Sequence, residues 1–117
     1  MEFNEHKPIY LQIADTLSDK ILQGEWLPED RIPSVREMGI DMGVNPNTIM
    51  RTYEYLQNRD IIYNKRGIGY FIAPDSKQLI LSDQRQHFLS EELPAIVRKM
   101  KMLSITPDEI TNLYDKN

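Results

Sequence analysis

The 117-residue sequence predicts a mainly α-helical fold with one small β-hairpin, a winged helix-turn-helix followed by a short two-helix tail. Three observations predict it. Two helix starts, separated by one tight turn, are written into residues 31–52. Two short β-prone runs, residues 61–64 and 70–72, follow around a glycine-containing turn. Beyond Pro74-Asp75-Ser76 the apolar residues fall at a heptad spacing.

Residues 1–7 are polar and read as a loose N-terminus. Over residues 8–23, Ile9, Ile13, Leu17 and Ile21 recur every four positions, a single apolar stripe on a helix. Pro8 suits its first turn and Gly24 its stop. Trp26, Leu27 and Pro28 then cross toward the helix-turn-helix, with a short strand expected near Arg31-Ile32.

Ser34 and Glu37 form a capping box, S-x-x-E, which starts a helix near Val35. Gly43 supplies the left-handed residue that ends it. Asn45 caps a second helix with Pro46 at its first position. Val35, Met38 and Met42 should face inward from the first of these helices. Ile49, Tyr53 and Leu56 should do so from the second, which runs to about Arg59. Gly39 leaves room where the two cross. The hairpin turn is Lys65-Arg66-Gly67-Ile68-Gly69. The order of three helices and then a hairpin describes a winged helix.

In the tail, Leu89, Leu93, Ile96, Met100 and Leu103 alternate spacings of four and three, a seam under three heptads long. Pro94 sits inside it. Either Ser90 caps a new helix with Glu91 and Glu92 in its first turn, or one longer helix is kinked there. Thr106-Pro107-Asp108-Glu109 is a second capping box and starts a last helix through Ile110, Leu113 and Tyr114. The division expected is a winged helix-turn-helix over 1–75 and a helical tail over 76–117.

The length fits one domain, or one domain with a small appendage. The absence of cysteine removes disulfides and thiolate metal sites, and fits a reducing cytoplasm. No apolar run approaches a membrane span, and the N-terminus lacks a signal-peptide pattern. A net charge of −4 does not by itself favour a nucleic-acid partner. The positive residues are nevertheless placed locally. Arg31 and Arg36 flank the first helix start of the motif, Arg51 lies on the second helix, and Lys65 and Arg66 sit at the hairpin turn. Asp15, Asp19, Glu25 and Glu29 lie elsewhere, so non-specific affinity for DNA should be modest.

The polar face of the second helix carries Asn47, Thr48 and Arg51, side chains that can hydrogen-bond base edges and phosphates. The first-turn amides there can also hold a phosphate. Arg36 and Arg51 also admit the reading of solvated helix residues, and Lys65 and Arg66 that of a charged, soluble turn. Tyr10, Tyr53, Tyr55 and Tyr63 read as core or rim residues, because they do not alternate along one sheet face as stacking platforms would. His6 and His87 are far apart and lack carboxylates at metal-ligand spacing. No Ser/His/Asp, HExxH, Walker A or GxGxxG arrangement is present, so an enzyme has little support and no cofactor is expected.

Several of these segments together resemble the GntR family of bacterial transcription regulators. They are Pro8-Ile9-Tyr10-Leu11-Gln12-Ile13, Gly24-x-x-x-Pro28 and Ile32-Pro33-Ser34-Val35-Arg36. Gly43-Val44-Asn45-Pro46-Asn47-Thr48-Ile49 and the wing Gly67-x-Gly69-Tyr70-Phe71-Ile72 complete the set. They cover roughly residues 8–73 in the family's order. Glu29 and Gly39 depart from the pattern, which often has Gly and usually Ala at those positions. The resemblance implies double-stranded DNA as partner, with Arg31, Ser34, Arg36, Asn45, Asn47, Thr48, Arg51, Lys65, Arg66, Gly67 and Gly69 at the contact. It also implies a repressor on an operator resembling a GT…AC inverted repeat. The short tail resembles the YtrA-like subfamily, in which it serves dimerisation and the genes often lie beside transporter operons. That implies a homodimer joined through Leu89, Leu93, Ile96, Met100 and Leu103. The 44 residues after the wing are too few to enclose a ligand cavity of their own. Any small effector is therefore expected at the dimer interface. Two readings compete: a winged-helix protein-interaction module without DNA contact, and a DNA-binding initiator or partition factor.

Overall fold

The computed structural model describes residues 6–117. The expectation of a loose N-terminus lies, for residues 1–5, outside the described residues. The elements run α1 (Ile9–Leu22), α2 (Val35–Met42), α3 (Pro46–Asn58), β1 (Ile62–Lys65), β2 (Gly69–Ile72) and α4 (Ser76–His87). A five-residue π-helical segment (Phe88–Glu92), α5 (Leu93–Met102) and α6 (Pro107–Lys116) follow. The expected order of helices and hairpin is the observed one.

The core of the first unit, which ends at Leu81, is built from the predicted stripes. α1 buries Ile13, Leu17 and Ile21, α2 buries Met38, and α3 buries Ile49, Tyr53 and Leu56. Ile9, the first residue of the α1 stripe, is 45% exposed instead. It stands in the opening turn, beyond the edge of the core. Thr52 is wholly buried, and its hydroxyl donates to the Tyr10 carbonyl at 2.8 Å, locking α3 to the first turn of α1. β1 and β2 pair antiparallel, with Ile62 opposite Ile72 and Lys65 opposite Gly69. Both isoleucines are buried, so the base of the hairpin is anchored while its tip stands free.

The strand expected near Arg31-Ile32 is a single bridge, Arg31 to Phe71. Backbone bonds extend it: Ile72 N donates to the Asp30 carbonyl at 2.9 Å, and Ile32 N donates to the Tyr70 carbonyl at 3.0 Å. The segment before α2 therefore fills the second edge of β2 and fixes the wing to the helix-turn-helix. Ile80 of α4 is also buried, so the first turns of that helix belong to the winged-helix core.

The second unit is Ser82–Asn117. The two alternatives at Pro94 resolve in favour of a continued helix. Ser90 caps nothing; its hydroxyl donates back to the Gln86 carbonyl at 2.9 Å. The backbone widens into the π segment immediately before α5, where Pro94 occupies the first turn. Proline has no N–H to donate, and its ring crowds the carbonyl four residues back. A π-type turn absorbs that misfit without ending the helix. Thr106 and Glu109 form the expected capping box at the start of α6. No residue of this unit is buried: along the seam Leu93 and Met100 are half-buried, and Leu89, Ile96 and Leu103 are exposed.

Candidate nucleic-acid interface

Two local motifs aim the recognition segment. In the first, Ser34 Oγ accepts from Glu37 N and Glu37 Oε1 accepts from Ser34 N, both at 3.1 Å. The hydrogen bond to the Ser34 backbone, then that to its side chain, hold the Glu37 carboxyl below the ordinary carboxylate range, and the positive charge of Arg31 adds to this. This box sets Arg36 at the second position of α2, with its side chain exposed.

The second motif is the turn. Gly43 takes φ 65°, ψ 37°, a left-handed conformation that glycine adopts without the cost a side chain would add. Val44 N donates to the Gly39 carbonyl at 2.9 Å. A Cβ on Gly39 would lie 2.8 Å from the Val44 carbonyl oxygen and 3.5 Å from Pro46 Cα. The room expected at Gly39 is thus taken by the turn and the start of α3. Asn45 Oδ1 then accepts from Asn47 N at 2.8 Å, with Pro46 opening the helix.

Beyond that cap, Asn47, Met50, Arg51 and Glu54 are exposed on α3, and Thr48 is half-buried. The Arg51 guanidinium carbon lies 4.3 Å from the centroid of the Tyr10 ring. Pro8, Ile9, Tyr10, Asn47, Thr48 and Arg51 line an open cleft of about 360 Å³ between the starts of α1 and α3. Three of the predicted contact residues therefore come together there, while Arg36, Lys65 and Arg66 lie outside it.

At the wing, Gly67 takes φ 77° at the tip. Lys65 Nζ packs 4.6 Å from the Phe71 ring centroid, whereas Arg66 and Ile68 are exposed. A Cβ on Gly69 would stand 3.0 Å from Arg31 Nε, so the Arg31 side chain reaches along the wing toward its tip and packs closely over Gly69, whose φ of 148° itself favours glycine. The same edge segment braces the hairpin a second time. Glu29, the position where the resembled family often has glycine, takes φ 72°, and Tyr63 Oη donates to its Oε2 at 2.5 Å. That bond, then burial and the carboxylate charge, raise the Tyr63 phenol above its usual value.

Sequence reasoning placed Tyr10 in the core or rim and missed its contact with Arg51. It also passed over Met50, 39% exposed on the outer face of α3, and Ile68, 56% exposed at the wing tip. Local spacing carries no sign of the first, because the partners belong to different helices. The other two were legible, since each is an apolar residue flanked by the predicted contacts.

The arrangement offers hydrogen-bond donors on a sharply capped helix and cations on a two-stranded wing, the groups that meet base edges and phosphates of a duplex. Among the described residues, no group of three His, Cys, Asp or Glu could hold a metal ion. No described helix is long and apolar enough to cross a membrane.

Residues 9–72 match the family of bacterial regulatory proteins called gntR. The chain is 43% identical over 109 residues to the HTH-type transcriptional regulator YhcF of Bacillus subtilis, covering 93% of this chain and 88% of that protein. It is 32% identical over 90 residues to the HTH-type transcriptional repressor YtrA of the same organism, covering 77% and 68%. A solved GntR-family structure from Bacteroides thetaiotaomicron superposes with TM-score 0.82 at 49% identity, covering 93% of this chain and 95% of that one. The DNA-binding domain of AraR in complex with operator ORR3 matches with TM-score 0.56 at 33% identity, covering 62% and 86%.

Proposed function

This chain belongs to the gntR family of bacterial regulatory proteins, in its YtrA-like branch, and we propose that it is a homodimeric repressor of an inverted-repeat operator. Its family is one of transcriptional regulators that act on double-stranded DNA, not of enzymes. The further reading assigns α3 to the major groove, with Asn47, Thr48 and Arg51 toward base edges and Arg36 at the rim of the same groove. Arg31, Lys65, Arg66 and the backbone at Gly67 and Gly69 meet phosphates. Ser34 and Asn45 hold the two helix starts in register. The unit through the wing is the reader, and the tail supplies the second copy through Leu89, Leu93, Ile96, Met100 and Leu103. Such a protein works in the cytoplasm, and any inducer acts at the joint between subunits.

One observation carries the reading. α3 is capped at Asn45, anchored by Ile49, Tyr53 and Leu56, and leaves Asn47 and Arg51 exposed. Inward anchors and outward donors on one helix are what groove recognition requires. The repressor role is supported by the relative YtrA, which is named a repressor, and the operator by the AraR complex.

The test begins with selection of bound duplexes from a random pool. Arg36→Ala and Arg51→Ala are then measured on the selected duplex and on a scrambled one at several salt concentrations. Loss of a base contact should cost ~1–3 kcal/mol and relax preference at one base pair per half-site. Lys65→Ala and Arg66→Ala should weaken binding on every sequence and lower the salt slope by about one unit per contact. Unchanged affinity in both arginine variants, with folding intact, would defeat the groove assignment and favour a protein-interaction module.

A further inference from the structure

The cleft between α1 and α3 contains a pair that the proposed reading leaves unused. Arg51 makes no ion pair among the described residues, unlike Lys7 with Asp15 and Lys20 with Glu25. What it touches is a ring: Tyr10, at 4.3 Å. That ring is itself fixed. Tyr55 packs edge-on against it, centroids 6.3 Å apart and planes at 73°. The carbonyl of Tyr10 accepts the buried Thr52 hydroxyl. Thr52, Tyr55 and Arg51 all belong to α3, so ring and guanidinium are tied to the same helix.

An aromatic face attracts a guanidinium through its quadrupole and uses none of its N–H donors. Arginine otherwise carries as much rotamer freedom as any side chain, much of which is lost when it is immobilised. A side chain already resting on a fixed ring loses less on binding. We infer that Tyr10 is a positioning residue for Arg51: it holds the guanidinium at the mouth of the cleft, with its donors free to meet a guanine edge. This inference rests on the reading that α3 enters the groove.

The experiment is a double-mutant cycle on the full chain. Wild type, Tyr10→Leu, Arg51→Ala and the double variant are titrated into the duplex selected from the random pool and into its scrambled form. Tyr10→Leu should weaken the selected duplex by up to roughly twofold to fivefold per half-site, the most an exposed cation–π contact can preorganise, and leave the scrambled duplex unchanged. In the Arg51→Ala background the same change should have no effect. Tyr10→Phe, which keeps the ring, should bind like wild type.

Equal losses from Tyr10→Leu with and without Arg51 would overturn the inference, because Tyr10 would then act alone. So would no loss from Tyr10→Leu where Arg51→Ala does lose affinity. No loss from Arg51→Ala would instead defeat the groove reading of that residue, and this inference with it. Should Tyr10→Leu fail to melt cooperatively, progressively fluorinated phenylalanines at position 10 withdraw charge from the ring at nearly constant shape. Affinity should then fall with fluorination when Arg51 is present and stay flat when it is absent. A flat response in both backgrounds would sink the idea.

Discussion

Tyr53 is wholly buried, and its hydroxyl donates to the Pro33 carbonyl at 2.7 Å, closing the loop before α2 onto α3. Burial, then the neighbouring Tyr70 and the acids Glu37 and Asp41, push its phenol well above the ordinary value of 10.0. Its folded-state pKa is raised, so this group adds stability that is complete below about pH 10 and is lost as pH rises toward the folded value. Tyr63 shifts the same way through its bond to Glu29. Urea midpoints should therefore hold steady up to about pH 10 and fall above it, and Tyr53→Phe should flatten the fall. At neutral pH that variant should lose ~1 kcal/mol, because the Pro33 carbonyl loses its donor. Tyr53 was legible as core from its place in the α3 stripe, yet its partner lies 20 residues away and left no local signal. Glu29 and Tyr63 are 34 residues apart, Tyr10 and Thr52 are 42 apart, and both links escaped the sequence for the same reason.

Element boundaries were far more legible, because caps act over three or four residues. Ser34 with Glu37, Gly43, Asn45 with Pro46 and Thr106 with Glu109 all stand where their spacing placed them. Ser34→Ala should cost ~1 kcal/mol in urea unfolding, typical of a lost N-cap. That penalty should depend on pH. The folded-state pKa of Glu37 is depressed, so its contribution is present above about 4.5 and disappears as pH falls through the folded value. Ser34→Ala removes only the side-chain part of that contribution and leaves the backbone bond at residue 34, so the gap between wild type and Ser34→Ala should narrow in acid without closing. A constant difference across that range would mean that the box works as a neutral hydrogen bond. The break at Pro94 was only half legible. Proline signalled trouble, but whether a helix stops or widens depends on how the preceding turn is accommodated, and spacing does not encode that choice.

At the scale of the molecule, the two units differ in what they bury. The winged helix holds a closed core, while Ser82–Asn117 leaves Leu89, Ile96, Leu103, Leu113 and Tyr114 exposed. A heptad seam needs a second surface, so sedimentation should show a dimer. Leu93→Ala with Ile96→Ala should shift it toward monomer, since a buried Leu→Ala change costs ~2–5 kcal/mol. A monomer at high concentration for the unmutated protein would remove the seam from the dimer reading. A chain shortened to end at Leu81 should still melt cooperatively, as Ile80 is the last core residue in chain order among the described residues. That position of Ile80 also has a consequence in time. Small helix-rich domains fold in microseconds to milliseconds. Once Ile80 clears the ribosome the reader can fold within milliseconds, so any pairing through the tail, a slower and concentration-dependent step, joins subunits whose readers are already folded.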